Sequence, residues 1–387
     1  METEMKTKSH TMLAIILTAA CLRIVIGGVG PLLPYIQGEY TLSGGVSGLL
    51  TTMPLLAFAV VSPLAGALGK KLGEGRAISL GLLLILAGTL LRSSFGTAGL
   101  FLGTALLGSG IAIGNVLTPA VVKSEFPESV GSKTGIYTVA MSVAAAVALA
   151  FSVPMADVPA VGWRGSLAVW AVVVAISWLV WRPLRPIRLS GGETGGGKSL
   201  LRNPLTWYVT LFFGITSMMF YVVVGWLPTI LQSGGMDSTT AGLVTSGFQL
   251  IGLPSSFLAP AWAGKQKDQR LVLGIGSVVC IIAIAGLILA RGQALRILSA
   301  LLLGLANGSN FSMGMALFGF RTQNAADAAR LSAFAQSAGY ALAATGPIVV
   351  GWIYDLIPNW SICLLYVLAF SILALFAGIK AGEDKTI

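Results

Sequence analysis

A single arginine interrupts the first long apolar stretch of the chain, and it is the side chain best suited to binding chemistry. Arg23 lies about 11 residues from either end of the stretch 12–34. A charge at the centre of a membrane-spanning helix costs at least ~2.5–3.5 kcal/mol, so it must face a watery cavity or a partner. A guanidinium holds carboxylate-like groups through two parallel hydrogen bonds. The position of Arg23 therefore predicts a site for the anionic group of a substrate.

Acidic residues do not share this depth. Four of them border the apolar stretches, near their ends: Glu39, Asp157, Asp237 and Asp355. A second interpretation of Arg23 is that it caps backbone carbonyls where the first helix is broken. A glycine-rich run with a proline follows it and favours such a break: Gly27, Gly28, Gly30 and Pro31. Both interpretations remain open from the sequence.

Neutral side chains at similar predicted depth are candidates for the rest of the substrate site. They are Phe58, Asn115, Tyr221, Gln249, Asn307, Asn310, Gln336 and Tyr340. Asn307 and Asn310 share a helical face at i, i+3, and Gln336 and Tyr340 share one at i, i+4. Tyr137 and Met141 form a similar pair. An ordinary interhelical hydrogen bond explains each of these polar residues equally well.

The elements that carry these residues must be membrane helices. Of 387 residues, 55% are hydrophobic and 10% are charged, whereas a soluble domain has about 25% charged residues. A membrane helix needs about 20 mostly apolar residues. Twelve such stretches occur, at 12–34, 44–68, 77–95, 98–122, 133–155, 164–182, 205–231, 239–263, 271–291, 295–320, 329–354 and 360–380.

The distribution of basic residues predicts the topology. If the N-terminus is cytoplasmic, 19 of the 24 Lys and Arg residues fall in cytoplasmic segments and 4 in outer ones, with Arg23 inside a span. Such a bias places both termini in the cytoplasm of an inner-membrane protein. It also explains the net charge of +10 without nucleic acid as a partner.

The two halves of the chain resemble each other at a constant offset of 194 residues. This offset pairs Pro34 with Pro228 and Lys71 with Lys265, among other identities. We therefore predict a six-helix bundle over 1–182, a Pro- and Gly-rich cytoplasmic linker over 183–204, and a second six-helix bundle over 205–387. The same offset relates Arg23 to Ser217, and Gly27 to Tyr221. These two residues share a helical face and would approach Arg23 across the pseudo-two-fold axis.

Motifs in the first three helices carry a family resemblance. Residues 66–76, GALGKKLGEGR, resemble the loop after the second helix in the major facilitator superfamily, although Lys70 stands where the usual Asp would be. The runs Gly30–Pro34, Gly48–Pro54 and Ser62–Gly66, together with Arg23, resemble the cyanate/2-nitroimidazole (CynX/NimT) transporter family. The resemblance implies a small anion or a small polar heterocycle as the transported compound.

The sequence thus predicts an all-α membrane protein with the major facilitator fold: twelve transmembrane helices in two pseudo-symmetric bundles. We expect a monomeric secondary transporter of a small-molecule, anionic substrate, working by alternating access in the lipid bilayer. An efflux transporter of larger hydrophobic toxicants is the alternative. A membrane enzyme or a sensor is disfavoured, because no catalytic pair and no output domain are visible. The sequence suggests no catalytic residue, cofactor or metal site.

Overall fold

The computed structural model describes residues 2–40, 44–184, 187 and 197–387, and the regular structure in these ranges is helical. In chain order the helices are α1 Glu2–Gly27, α2 Val29–Tyr40, α3 Gly44–Leu72, α4 Glu74–Ser94, α5 Gly96–Glu125, α6 Val130–Ala156, α7 Gly162–Ala168, α8 Trp170–Trp181, α9 Gly197–Arg202, α10 Pro204–Ser233, α11 Ser238–Ala263, α12 Arg270–Leu289, α13 Gln293–Phe320, α14 Ala325–Leu356 and α15 Trp360–Ala381.

Within the described ranges, twelve helical segments are long and apolar enough to cross a membrane, which confirms the predicted number. The first span, Lys8–Leu33, consists of α1 and the start of α2, with a break at Gly28. The sixth span, Gly162–Leu184, joins α7 to α8 at Val169. The end of the predicted linker is helical, because α9 lies there. Residues 185–186 and 188–196 of the linker lie outside the described ranges.

The chain divides into two compact units. Unit 1 comprises residues 1–127 and 136–191, and unit 2 comprises residues 128–135 and 192–387. Each unit therefore contains six spans, except that the first turn of α6 is grouped with unit 2. This assignment of 128–135 departs from the boundaries expected from the sequence.

Glycines set the closest helix contact of unit 1. α4 and α5 approach so closely that a Cβ added to Gly88 would lie 2.5 Å from the backbone nitrogen of Leu107 and 2.6 Å from the carbonyl oxygen of Gly103. Gly110 similarly faces the backbone of Gly81. Small residues let membrane helices approach and gain van der Waals contact, which replaces the missing hydrophobic driving force.

A buried aromatic group occupies the interior of unit 2. The ring of Phe213 on α10 lies 5.4 Å from that of Phe318 and 5.3 Å from that of Tyr340, the latter edge-on. Gly214 and Gly339 allow α10 and α14 to touch beside this group, since a Cβ on Gly214 would lie 2.9 Å from the Cα of Gly339. α10, α13 and α14 are thus held together around one ring.

Polar contacts tie the end of α2 to the start of α7 in unit 1. Glu39 pairs with Arg164 at 2.6 Å and accepts a 2.7 Å hydrogen bond from Trp163 Nε1. Arg164 also donates to the hydroxyl of Tyr40 at 2.6 Å. The hydrogen bond from Arg164, followed by that from Trp163, lowers the pKa of Glu39.

Stability conferred by this ion pair should depend on pH. Because the pKa of Glu39 is lowered in the folded state, the contribution is present above the ordinary glutamate pKa, about 4.3, and is lost as the pH falls through the lowered value. Glu39→Gln should lower the thermal midpoint slightly at neutral pH, since both partners are partly exposed. The difference from wild type should vanish in acid. A difference in thermal midpoint between wild type and Glu39→Gln that is equally large at both pH values would contradict this assignment. So would a difference that persists in the Arg164→Gln background.

The C-terminal residues are fastened to unit 2 by a buried arginine. Arg321, 2% exposed, donates to the carbonyl oxygens of Gly382 at 3.2 Å and Lys385 at 3.3 Å. Its own carbonyl accepts from the backbone N–H of Ile387 at 2.8 Å. Gln269 also donates its backbone N–H to Gly382, at 2.9 Å. The tail therefore closes over the ends of α12 and α13.

Replacement of Arg321 should release this tail. Arg321→Met removes the two hydrogen bonds from the guanidinium to Gly382 and Lys385, and a hydrogen bond to a charged group contributes about 1.5–3 kcal/mol. We expect faster removal of the C-terminal residues by carboxypeptidase, followed by mass spectrometry. Arg270→Gln is the matched control, because Arg270 is exposed and pairs with Asp268 at the surface. Equal digestion rates in Arg321→Met and wild type would disprove the fastening role.

Candidate functional site

Arg23 occupies the interior of the first span, as the sequence predicts. It lies on α1 five residues before the break at Gly28, and roughly 15 Å along the helix from Leu33 at 1.5 Å per residue. Its side chain is half-buried, and it takes part in at least one polar or ring interaction within the protein. The break confirms the helix interruption that the glycines indicate. It does not decide between a substrate site and a backbone cap.

The contact between α1 and α5 places Arg23 and Asn115 at a similar level of unit 1. Leu22 packs into Gly114, where an added Cβ would lie 2.6 Å from Leu22 Cδ2. Arg23 and Asn115 are the next residues on their respective helices, and Asn115 is buried. That the two side chains share a substrate site stays a prediction.

α6 contributes a polar group that contacts Asn115. The Tyr137 hydroxyl donates to Asn115 Oδ1 across 3.4 Å, a long hydrogen bond. A Cβ on Gly27 would lie 3.1 Å from the Cβ of Ala148. Because the first and fifth spans run in the same direction, Arg23, one turn before Gly27, is level with about Ala144 on α6. Tyr137 lies seven residues before Ala144, roughly 10 Å along the helix, and is linked to Asn115 by its hydroxyl.

Phe58 is completely buried on α3. Its neighbour Ala57 packs against Gly108 of α5, where an added Cβ would lie 3.0 Å away. Gly108 precedes Asn115 by seven residues, which corresponds to roughly 10 Å along the helix. Phe58 thus lies about two helical turns from the level of Asn115 in unit 1.

In unit 2, Gln249 and Asn307 flank one helix contact. A Cβ on Gly308 would meet the carbonyl oxygen of Gly252, and Ser255 Oγ donates to Leu305 O at 2.7 Å, so α11 and α13 are in backbone contact. Asn307 is buried and Gln249 is half-buried beside this contact.

Gln336, Tyr340 and Tyr221 lie along the α10–α14 contact. Gln336 donates its side-chain N–H to Ser332 Oγ at 2.8 Å within its own helix. Tyr340 is buried with its ring against Phe213. Tyr221 is half-buried, and its ring lies 5.3 Å from that of Phe220. Their roles toward a substrate stay predictions, as does the approach of Tyr221 to Arg23.

Asn310 occupies a different position from Asn307. A Cβ on Gly276 of α12 would collide with Asn310 Oδ1 and would lie 3.1 Å from Ser309 Oγ. Asn310 is therefore packed between α12 and α13. Its Oδ1 has no hydrogen-bond partner in the described part of the chain, so this oxygen does not form the interhelical hydrogen bond that the sequence left open.

Metal and thiol chemistry find no support in the described ranges. Within them, no group of three or more His, Cys, Asp or Glu side chains could hold a metal ion. Cys21, Cys280 and Cys363 are buried and free. These cysteines behave as small apolar residues in the helix contacts.

Comparison with known proteins identifies the family of this chain. The sequence profile of the Major Facilitator Superfamily matches residues 15–343. The chain belongs to this superfamily. The chain is also 40% identical over 375 residues to the uncharacterized transporter YycB of Bacillus subtilis (strain 168), covering 96% of this chain and 93% of that protein.

Two relatives have names that state a substrate. The 2-nitroimidazole transporter of Escherichia coli (strain K12) is 39% identical, with 99% of this chain and 98% of that protein covered. The cyanate transport protein CynX of the same organism is 27% identical, with 95% and 97% covered. These findings confirm the family resemblance. The superfamily and these relatives are transporters and not enzymes, so the chain is a multi-pass membrane transporter.

A solved structure confirms the fold. The proton:xylose symporter XylE, bound to 6-bromo-6-deoxy-D-glucose, superimposes with a TM-score of 0.79 and covers 99% of this chain and 97% of that one. The two sequences are only 16% identical, so the similarity concerns the fold alone.

Proposed function

We propose that this protein is a secondary transporter that moves a small anion or small polar compound, cyanate-like or nitroimidazole-like, by alternating access. Arg23 binds the anionic or electron-rich group of the substrate. The observation that carries this proposal is the placement of Arg23 deep in the first span, Lys8–Leu33. A charge at such depth is a functional site by default, because insertion selects against it.

The chemistry around Arg23 supports a small polar ligand. The guanidinium is planar and offers a fork of donors, which matches oxygen or nitrogen atoms held in one plane. In the proposed site, the hydrogen-bonded pair Asn115 and Tyr137 adds an amide and a hydroxyl that can donate or accept. One cation with neutral donors fits a monovalent anion, or a heterocycle that bears a nitro group.

The names of two relatives point in the same direction. The 2-nitroimidazole transporter and the cyanate transport protein are named for compounds that are small, polar and rich in hydrogen-bond acceptors. Such compounds suit Arg23 better than a bulky hydrophobic toxicant would.

The basic loops support an orientation with both termini in the cytoplasm of the inner membrane, since Lys and Arg are retained on that side. In this orientation, entry of an anion is opposed by ~2.3 kcal/mol per charge at 100 mV. Import thus requires a co-transported cation, an exchanged anion or a protonated substrate.

Counterflow into vesicles tests the proposed function. The purified protein is reconstituted in vesicles preloaded with unlabelled cyanate or 2-nitroimidazole, and uptake of the labelled compound is measured. We expect uptake above that of empty vesicles for at least one of the two. Binding and exchange restricted to large hydrophobic cations would replace the proposal with toxicant efflux.

A further inference from the structure

A second arginine of unit 1 is buried without a hydrogen-bond partner. Arg92, near the end of α4, is 1% exposed. Its Nε and both terminal nitrogens have no acceptor within the described part of the chain. An arginine stays protonated in proteins, and a buried charge is costly unless it is paired. Neither the hydroxyl groups nor the carboxylates nearby pair with Arg92.

Hydroxyl groups close to Arg92 are engaged elsewhere. Thr89 donates to the carbonyl of Ile85 at 2.7 Å, and Ser93 donates to that of Thr89 at 3.0 Å. Across the α4–α5 contact, Thr104 donates to its own helix at 2.6 Å. These hydroxyls satisfy their donors within their helices, and their oxygens do not accept from Arg92.

Carboxylates at this end of unit 1 also have other partners. Glu39 is held by Arg164 at 2.6 Å, and Asp157 accepts from the Tyr35 hydroxyl at 2.5 Å. The segment 41–49, whose side chains lie outside the described set, contains no acidic residue. The chain therefore supplies no counter-ion for Arg92 from this region.

The backbone of Arg92 lies at the close contact between α4 and α5. A Cβ on Gly103 would lie 2.5 Å from the backbone nitrogen of Arg92. One turn away on α5, Leu100 belongs to an apolar cluster that includes Leu32 and Leu167. A single buried guanidinium suits one monovalent anion, because a more highly charged ion would leave an excess charge buried.

We propose that Arg92 is a second anion site, which takes a small monovalent anion such as chloride. The site is separate from Arg23 and does not depend on the transported compound binding there. The anion supplies the counter-charge that α4, α5 and α7 do not provide. Its source is either the ambient halide or the small anionic cargo itself.

Thermal unfolding of the full-length protein in detergent tests the site. Sodium gluconate is replaced stepwise by sodium chloride at constant ionic strength, so that screening does not change. We expect the unfolding midpoint of the wild type to rise with the logarithm of chloride concentration, since the anion binds the folded state. Arg92→Met should show no rise and should equal or exceed the wild-type midpoint in gluconate, because it removes a buried unpaired charge.

Two controls make the outcome specific. Arg164→Gln, which removes the other arginine of this region, should retain the chloride response, and so should Arg23→Ala. A wild-type protein without a chloride response, or an Arg92→Met variant that keeps it, would refute the site. Repeating the titration with cyanate distinguishes the sources, because a stronger Arg92-dependent response to cyanate than to chloride assigns the site to the cargo.

If Arg92→Met does not fold, the anion site is tested on the wild-type protein alone. Crystals soaked in sodium bromide should give an anomalous peak in contact with the Arg92 guanidinium. Absence of that peak when other bromide sites are occupied would overturn the proposal.

Discussion

Arg23→Ala should lose roughly 10- to 100-fold in affinity for cyanate, because a hydrogen bond to a charged group contributes about 1.5–3 kcal/mol and each 1.4 kcal/mol is tenfold. Arg23→Lys keeps the charge but loses the planar fork, so its affinity should fall between those of Ala and wild type. The measurement is calorimetric or thermal-shift titration of purified, monodisperse protein. For neutral 2-nitroimidazole, the loss should be smaller, since no full charge is neutralised.

The same variants separate the two interpretations of Arg23. If the side chain caps the backbone near the break at Gly28, Arg23→Ala lowers the unfolding midpoint without ligand and leaves affinity intact. If it binds substrate, affinity falls in both Arg23→Ala and Arg23→Lys. Arg164→Gln is the control, since Arg164 is a partly exposed arginine of the same unit. Wild-type affinity in both Arg23 variants would remove Arg23 from the site.

Gly88→Ala should destabilise the protein strongly, although it adds only one methyl group. The added methyl group would lie within 2.6 Å of two backbone atoms of α5, those of Leu107 and Gly103. Backbone cannot rotate away as a side chain does, so the helices must separate, at a cost above the ~1–3 kcal/mol of ordinary overpacking. Separation also removes contact along the α4–α5 face.

Size-exclusion chromatography and thermal unfolding measure this effect. We expect a sharp drop in monodisperse yield and a lower unfolding midpoint for Gly88→Ala. Gly274→Ala is the matched control, because no atom lies within 4 Å of a Cβ added to Gly274 on α12. A Gly88→Ala variant as stable as Gly274→Ala would show that the α4–α5 contact is looser than described.

The sequence by itself determined the architecture of this protein. Twelve apolar stretches, separated by short polar segments, fix the number of spans because lipid accepts only segments whose backbone is satisfied internally. The glycines after Arg23 predicted the break at Gly28, since glycine tolerates backbone that leaves the helix. Depth along a membrane helix is proportional to the number of residues from its end, so residue counting predicted the position of Arg23.

Tertiary structure decided which residues share a location. Residue counting does not show which helices pack against each other. That pairing depends on where glycines permit close approach. Gly114 lets Leu22 of α1 pack against α5, whereas Gly276 draws Asn310 into the α12–α13 contact although Asn307 lies only one turn away. Arg92 is one of the four basic residues that the charge count assigns to outer segments, yet it is 1% exposed at the close α4–α5 contact. Helix rotation and packing, which are set by contacts between distant segments, convert that ordinary surface charge into a candidate anion site.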